Sequence, residues 1–448
     1  MKSSIEDLFY LYVIYKFAYQ LDKSGQIMNE EEQKDFYNIQ EVAEKLCLSV
    51  KSVRRYIAAG NLDSVKIGGA YRIPSGALEA FINNGSKNRN IHYDLFGNIV
   101  VDKPVKKRND IVDWIDIEPF WNNVTQSDMT FVDLFCGAGG LSKGLEMAGL
   151  NGICGLDWFE EAGLTYKKNF NHPFVNGDIK SGETKEAFYD TVEKQLNGRR
   201  LNIVAGGFPC QGFSLAGNRI VDDPRNSLYL EMLEIVNKLQ PDFVVCENVK
   251  GLRSMLGGRV ERKILEDYKE IGYDMNVTTL CAADYYTPQK RERVIFIGNR
   301  IGVKNYYPKP LLRPSEYITT GESIADLMVH PVDEAFNHVP TRHRPDMAEK
   351  MRLLPEGESL YKGYSDAWKK CPWNEASCTI KENHGGVNIH PKLPRVLTAR
   401  EMARLQSFPD DFIFMGTKNK QLVQIGNAVP CLLGKAIGIA VRYSDGDL

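Results

Sequence analysis

The stretch Phe131-Val132-Asp133-Leu134-Phe135-Cys136-Gly137-Ala138-Gly139-Gly140 decides the fold. A strand-like run enters a glycine turn, and a helical pattern follows. Glycine lets the backbone adopt unusual dihedrals and approach a ligand closely. A dinucleotide fingerprint would need Gly-x-Gly-x-x-Gly, and Ser142 stands at its last position. No Gly-Lys-Ser/Thr phosphate loop is present either. The turn therefore points to a nucleotide-like ligand that lacks a pyrophosphate.

Outward from this turn, short apolar runs recur at residues 152–156, 201–205, 243–246 and 294–298. Helical stretches such as 227–239 and 259–271 lie between them. Strands alternating with helices predict an α/β fold, a parallel sheet covered on both faces. Leu156-Asp157-Trp158 follows the second strand. A carboxylate there can bind ribose hydroxyls, and an indole can stack on adenine. Asn176-Gly177-Asp178-Ile179 offers an acceptor for an adenine amine. In this order the signals fit S-adenosyl-L-methionine. After residue 301 the regularity fades, and 305–393 is rich in Pro, His, Gly and aromatic residues. Helical patterns return at 399–407 and 432–443.

The 448 residues carry 56 Lys plus Arg against 58 Asp plus Glu, a net charge of −2. That excludes a histone-like polycation but not a local basic face for nucleic acid. The nine Cys are scattered, with no Cys-x-x-Cys pair. A zinc ribbon is not expected, no metal is predicted, and free thiols fit a reducing cytoplasm. The apolar run at 8–21 is shorter than the ~20 residues of a spanning helix. It reads as an amphipathic docking helix, with no membrane partner.

Gly206-Gly207-Phe208-Pro209-Cys210-Gln211-Gly212-Phe213-Ser214 follows a strand. Pro209 and the flanking glycines expose Cys210, which is poised for attack; the other eight Cys read as structural. Glu247 ends the next strand, where a parallel sheet delivers catalytic groups. In Gln289-Lys290-Arg291-Glu292-Arg293, Arg291 and Arg293 alternate and so share one face of an extended segment. An Arg pair entering a buried strand suggests a polar or anionic ligand.

These motifs, with Gln424-Ile425-Gly426-Asn427-Ala428-Val429-Pro430, resemble the DNA (cytosine-5)-methyltransferase family, over roughly 130–299 and 395–443. The resemblance implies a Rossmann-like, S-adenosylmethionine-dependent catalytic domain and duplex DNA as substrate. It implies that Phe135, Gly137, Gly139, Gly140, Asp157, Trp158, Asp178, Ile179, Asn427 and Ala428 hold the cofactor. Cys210 would attack carbon 6 of a flipped cytosine, Glu247 would hold N3 and the amine, and Arg293 with Arg291 would bind near O2. Residues 212–225, with Arg219 and Arg225, suit a lid that contacts DNA. The family often carries a Ser on this loop; Ala216 stands there, which leaves the flipping details open. A target-recognition region is implied at 305–393, where Thr341-Arg342-His343-Arg344 and Lys381-Glu382-Asn383-His384-Gly385-Gly386 are candidate groove contacts.

Residues 37–83 resemble an excisionase-type winged helix-turn-helix. A first helix is predicted from Tyr37 to Leu46, a second over 50–59, and a hairpin over 64–73 turning at Gly68-Gly69. Ser52, Arg54 and Arg55 suit major-groove entry, and Lys66 and Arg72 suit phosphate. The expected organisation is a helical extension (1–36), the winged helix-turn-helix (37–83), a linker with little structure (84–128), the catalytic domain (129–304), the recognition domain (305–410) and a return to the catalytic domain (411–448). The catalytic part is expected to be monomeric, with dimerisation open to the N-terminal part. The reader's target is either the protein's own promoter or the methylation site.

Overall fold

A computed structural model describes residues 35–45, 50–58, 62–67, 70–78, 91–93, 99–101, 112–209, 227–361, 368–381 and 387–448. The chain divides into two units, Met1–Arg108 and Asn109–Leu448. The helical extension expected before residue 35 lies outside the described residues.

In the first unit, strand β1 (Phe36–Asn38) precedes helices α1 (Ile39–Lys45) and α2 (Val50–Ala58) and strands β2 (Val65–Ile67) and β3 (Ala70–Pro74). The first helix begins two residues later than its apolar pattern predicts. Tyr37 pairs with Ile73 across an antiparallel β1–β3 ladder. Asn38 then caps the helix: its Oδ1 accepts from Glu41 N, and Glu41 Oε2 accepts from Asn38 N. This reciprocal cap satisfies two donors that a helix start leaves open. Val42, Val53, Leu62, Ile73 and Leu78 form a small core. The register Ile67↔Ala70 leaves two residues for the hairpin turn, as the Gly68-Gly69 pair predicts.

The stretch read as a bare linker holds more structure than its polarity suggests. Strands β4 (Ile91–Tyr93) and β5 (Ile99–Val101) pair antiparallel within the first unit. In the second unit, β6 (Asp113–Ile115) pairs in parallel with β14 (Tyr306–Pro308). Helix α3 (Glu118–Trp121) follows, and its Trp121 ring stacks on Tyr286 at 5.9 Å.

The second unit is built on a seven-stranded sheet ordered β12-β13-β11-β10-β7-β8-β9. These are β7 (Thr130–Leu134), β8 (Asn151–Asp157), β9 (Phe174–Asn176), β10 (Ile203–Gly206), β11 (Phe243–Val249), β12 (Asp274–Cys281) and β13 (Glu292–Asn299). Five neighbouring strands run parallel. The expected parallel sheet forms this core, and β13 departs from it, running antiparallel to both β11 and β12. The reversal matters for the site. It brings the start of β13, with Arg293 opposite Val249, to the edge where the parallel strands end.

Apolar clusters cover both faces of the sheet. Helices α4 (Gly140–Met147) and α13 (Cys431–Asp445) lie on one face, and α6 (Gly182–Leu196), α7 (Ser227–Leu239) and α8 (Arg259–Glu270) on the other. Helix α5 (Glu160–Asn169) joins the third cluster with α9 (Thr320–Ile324), α10 (Pro345–Leu353), α11 (Ala399–Leu405) and α12 (Lys418–Asn427). Residues 418–445 are long and apolar enough to cross a membrane, but 72% of their most apolar window is buried inside the protein.

Helices α4 and α13 meet through glycines. A Cβ on Gly144 would stand 2.3 Å from Cys431 O and 2.6 Å from Gly434 Cα. Backbone lies on the far side, so neither helix can yield cheaply. Gly144→Ala is expected to cost about 1–3 kcal/mol, read as a lowered urea midpoint. Arg442 locks the crossing. Its buried Nη1 donates to Thr125 O (2.7 Å) and to Ala148 O (2.8 Å).

Candidate active site

The strand β7 ends in a turn whose backbone only a few residue types tolerate. Phe135, Gly137 and Gly139 have φ of 57°, 51° and 93°. A Cβ on Gly137 would meet nothing within 4 Å, so its bare backbone faces open space. That space is a cavity of about 1080 Å³ along the carboxyl ends of the parallel strands.

The cavity gathers most of the residues singled out in the sequence. Phe135, Gly137, Asp157, Trp158, Asp178, Ile179, Glu247, Arg291, Arg293, Asn427 and Ala428 all line it. Gly139 and Gly140 do not. A Cβ on Gly139 would strike the Phe170 ring at 2.4 Å, and one on Gly140 would strike Val429 O at 2.2 Å. Their bareness serves packing behind the wall. Cys210, Arg219 and Arg225 lie outside the described residues, although Phe208 and Pro209 line the cavity.

Asp157 is held at the end of β8. Its Oδ2 accepts from Gly137 N and its Oδ1 from Phe159 N, both at 2.8 Å. Burial raises its carboxyl above the ordinary range, and these N–H groups pull the other way. Trp158 beside it is 74% exposed, an indole face presented to the opening. Asp133 lies deeper. Burial pushes its carboxyl up to about 7, opposed by a hydrogen bond from Ser142 Oγ at 2.6 Å.

On the opposite wall, Glu247 Oε1 pairs with Arg293 Nε at 2.7 Å, with both side chains mostly buried. Asn248 Nδ2 donates to Phe208 O at 2.9 Å and so ties the end of β11 to the segment entering Cys210. Arg291 lines the cavity too and is anchored by backbone carbonyls. Its Nη1 donates to Ile380 O (2.9 Å) and its Nη2 to Gly426 O (3.1 Å). The guanidinium thus braces the recognition segment and the end of α12 against the sheet. Gln289 does the same, accepting from Ile380 N at 2.8 Å and donating to Leu405 O and Gln406 Oε1.

The profile of the C-5 cytosine-specific DNA methylase family matches residues 129–442, which contain every wall of this cavity. The chain belongs to that family. It is thereby a DNA (cytosine-5-)-methyltransferase. A helix-turn-helix domain profile matches residues 36–86 of the methyltransferase. Type II methyltransferase M1.HphI of Haemophilus parahaemolyticus is 36% identical over 328 residues, covering 70% of this chain and 86% of that protein. M.Eco47II of Escherichia coli is 29% identical over 436 residues, covering 92% and 96%. In structure, an inferred DNA modification methyltransferase of an Escherichia coli prophage aligns with a TM-score of 0.58 at 25% identity. It covers 71% of this chain and all of that one.

Several wall residues of the methyltransferase escape a motif search. Phe159, Asn419, Lys420 and Val423 line the cavity from the start of α5 and from α12, and Thr379 and Ile380 from the recognition region, beside the groove candidate Lys381. Their only signal is distance along the chain from a motif, which sequence spacing does not convert into space. In the first unit, Arg54 is exposed on α2 and Lys66 on β2. Lys66 pairs with Tyr71, and Arg72 with Val65, so the two cations sit on opposite faces of the hairpin. The side chains of Ser52 and Arg55 lie outside the described residues. In the recognition region Arg342 and Arg344 are exposed, and residues 382–386 are not described.

Proposed function

We propose that the methyltransferase moves a methyl group from S-adenosyl-L-methionine to carbon 5 of a cytosine in a specific duplex sequence. It would serve as the cytoplasmic modification enzyme of a restriction–modification system. The observation that carries this reading is one cavity with two chemically different walls. A bare glycine backbone, a buried carboxylate and an exposed indole stand on one side, and the Glu247–Arg293 pair on the other. The first wall suits a nucleoside cofactor, which Asp157, Trp158, Asp178 and Asn427 would hold. The relatives' names as Type II methyltransferases support the biological setting.

The cytosine must leave the base stack to reach this depth. Cys210, as thiolate, would add to carbon 6 and make carbon 5 nucleophilic. Glu247 would hold N3 and the exocyclic amine, meeting the negative charge that the attack pushes onto the ring. Arg293 orients Glu247 and faces O2. S-adenosylmethionine supplies the methyl as an electrophilic sulfonium. After transfer, a base takes the carbon-5 proton and Cys210 leaves carbon 6. Wild type should transfer labelled methyl to duplex DNA, and Cys210→Ala should lose transfer to background. Wild type should also be trapped covalently on 5-fluorocytosine DNA. Active enzyme without trapping would refute the Cys210 adduct.

We also propose that the N-terminal unit binds promoter DNA of the protein's own operon. Arg54 is exposed on the second helix of the helix-turn-helix, which supports a base or phosphate contact there. Arg54→Ala is expected to weaken promoter-fragment binding by about tenfold in a gel shift, in line with 1–3 kcal/mol per base-reading Arg. Methyl transfer should keep its wild-type kcat.

A further inference from the structure

Seven residues apart in the recognition region, two thiols stand in contact. Cys371 Sγ and Cys378 Sγ are 3.8 Å apart. Cys371 is buried, and Cys378 is half-buried. The backbone on either side is anchored. Cys371 N donates to Ile389 O at 3.0 Å. Ser377, next to Cys378, bridges to Gln289, and its N donates to Pro288 O.

The two sulfurs are not equivalent. Cys378 Sγ accepts from Asn388 Nδ2 at 3.2 Å, and the Cys371 thiol is placed to donate to it as well. Both bonds favour negative charge on Cys378, and Lys369 adds to them. Cys371 shifts the opposite way, since its hydrogen bond to Cys378, burial and its neighbour's charge all favour the protonated thiol. A half-buried thiol whose thiolate form is favoured, beside a buried thiol, is the arrangement of an attacking and a resolving cysteine.

We propose that Cys378 and Cys371 form a hydroperoxide-reactive dithiol whose product is a disulfide within the recognition region. The Cys378 thiolate attacks one peroxide oxygen, the O–O bond breaks, and hydroxide leaves with a proton as water. The Cys378 sulfenic acid is then attacked by Cys371, an S–S bond forms, and a second water leaves with the Cys371 proton. Two thiols are oxidised and one peroxide is reduced to two waters. A disulfide needs the sulfurs at about 2.05 Å, so the pair must close by side-chain rotation and a small backbone shift. Cys378 is two residues from Ile380, whose carbonyl and N–H are held by Arg291 and Gln289 at the cavity wall. The bond therefore forms where the recognition region meets the methyl-transfer site. The inference stands on the thiol geometry and does not depend on the reaction catalysed there.

Both cysteines fall in one tryptic fragment, residues 371–381. The full chain, exposed to hydrogen peroxide, alkylated and digested, should yield this fragment unalkylated and lighter by two hydrogens. Dithiothreitol should restore two alkylation sites. Cys371→Ser should leave Cys378 able to form a sulfenic acid, trapped by dimedone, without the mass loss. Asn388→Leu should slow bridging several-fold. The proposal is overturned if the fragment stays doubly alkylated while the thiol titre of the whole chain falls.

Discussion

Glu247→Gln is expected to lower kcat for methyl transfer by about 10²–10⁴-fold, the range for removing a positioned acid–base group. Glutamine keeps the length and volume of the side chain at the end of β11. It cannot carry charge or give up a proton at N3. Its one amide oxygen can still accept from Arg293, whose Nε now donates to Glu247 Oε1 at 2.7 Å, but its N–H groups then face the base. Charge and the proton at N3 are lost together. Cofactor affinity should change little, because Asp157 and Trp158 lie on the other wall. Single-turnover transfer with saturating cofactor and duplex measures the chemical step. A loss smaller than tenfold would remove Glu247 from the proposed mechanism.

Asp133→Asn is expected to stabilise the second unit at pH 8 by about 2–4 kcal/mol. The Asp133 carboxyl is raised from 3.8 to about 7, first by burial, with Asp157 and Glu247 adding repulsion. Its folded form therefore binds the proton more tightly than the unfolded chain does. Stability is highest below the unfolded value, falls as pH rises between about 4 and 7, and is lowest above that. Three pKa units correspond to about 4 kcal/mol. Asparagine never ionises, so its advantage should be full at pH 8 and vanish near pH 4. Urea midpoints at the two values decide it. An equal difference between variants at both would show that the effect is packing and not charge.

The parts of the methyltransferase that a reader finds in the sequence are those fixed by local covalent logic. The Phe135–Gly140 turn needs positive φ, and its glycines announce that. Asp157, Glu247 and Arg293 sit at strand boundaries, where apolar runs stop. Other features depend on distant partners. Strand β13 is as apolar as the parallel strands of the sheet, so its reversal leaves no mark in composition. Trp121 follows Phe120 in Glu118-Pro119-Phe120-Trp121, and nothing in that stretch tells that Tyr286 stacks against it. Gly139 and Gly140 read as ligand-facing because glycine says only that a Cβ is unwelcome, not what excludes it. Arg291 alternates with Arg293 and seems its twin. Its actual partners, Ile380 O and Gly426 O, lie 89 and 135 residues away.

The Arg442 clasp sets a timetable for the newborn chain. Its bond to Ala148 O spans 294 residues. At roughly 5–20 residues per second, a ribosome needs about 15–60 s to deliver one partner after the other. Until then the face of α4 that α13 covers has no cover, and the glycine turn beside it has no firm support. The first unit closes its small core within about forty residues, from Val42 to Leu78. During each round of synthesis the helix-turn-helix is therefore complete well before the enzyme is, so a growing chain is able to engage DNA before it is able to methylate it.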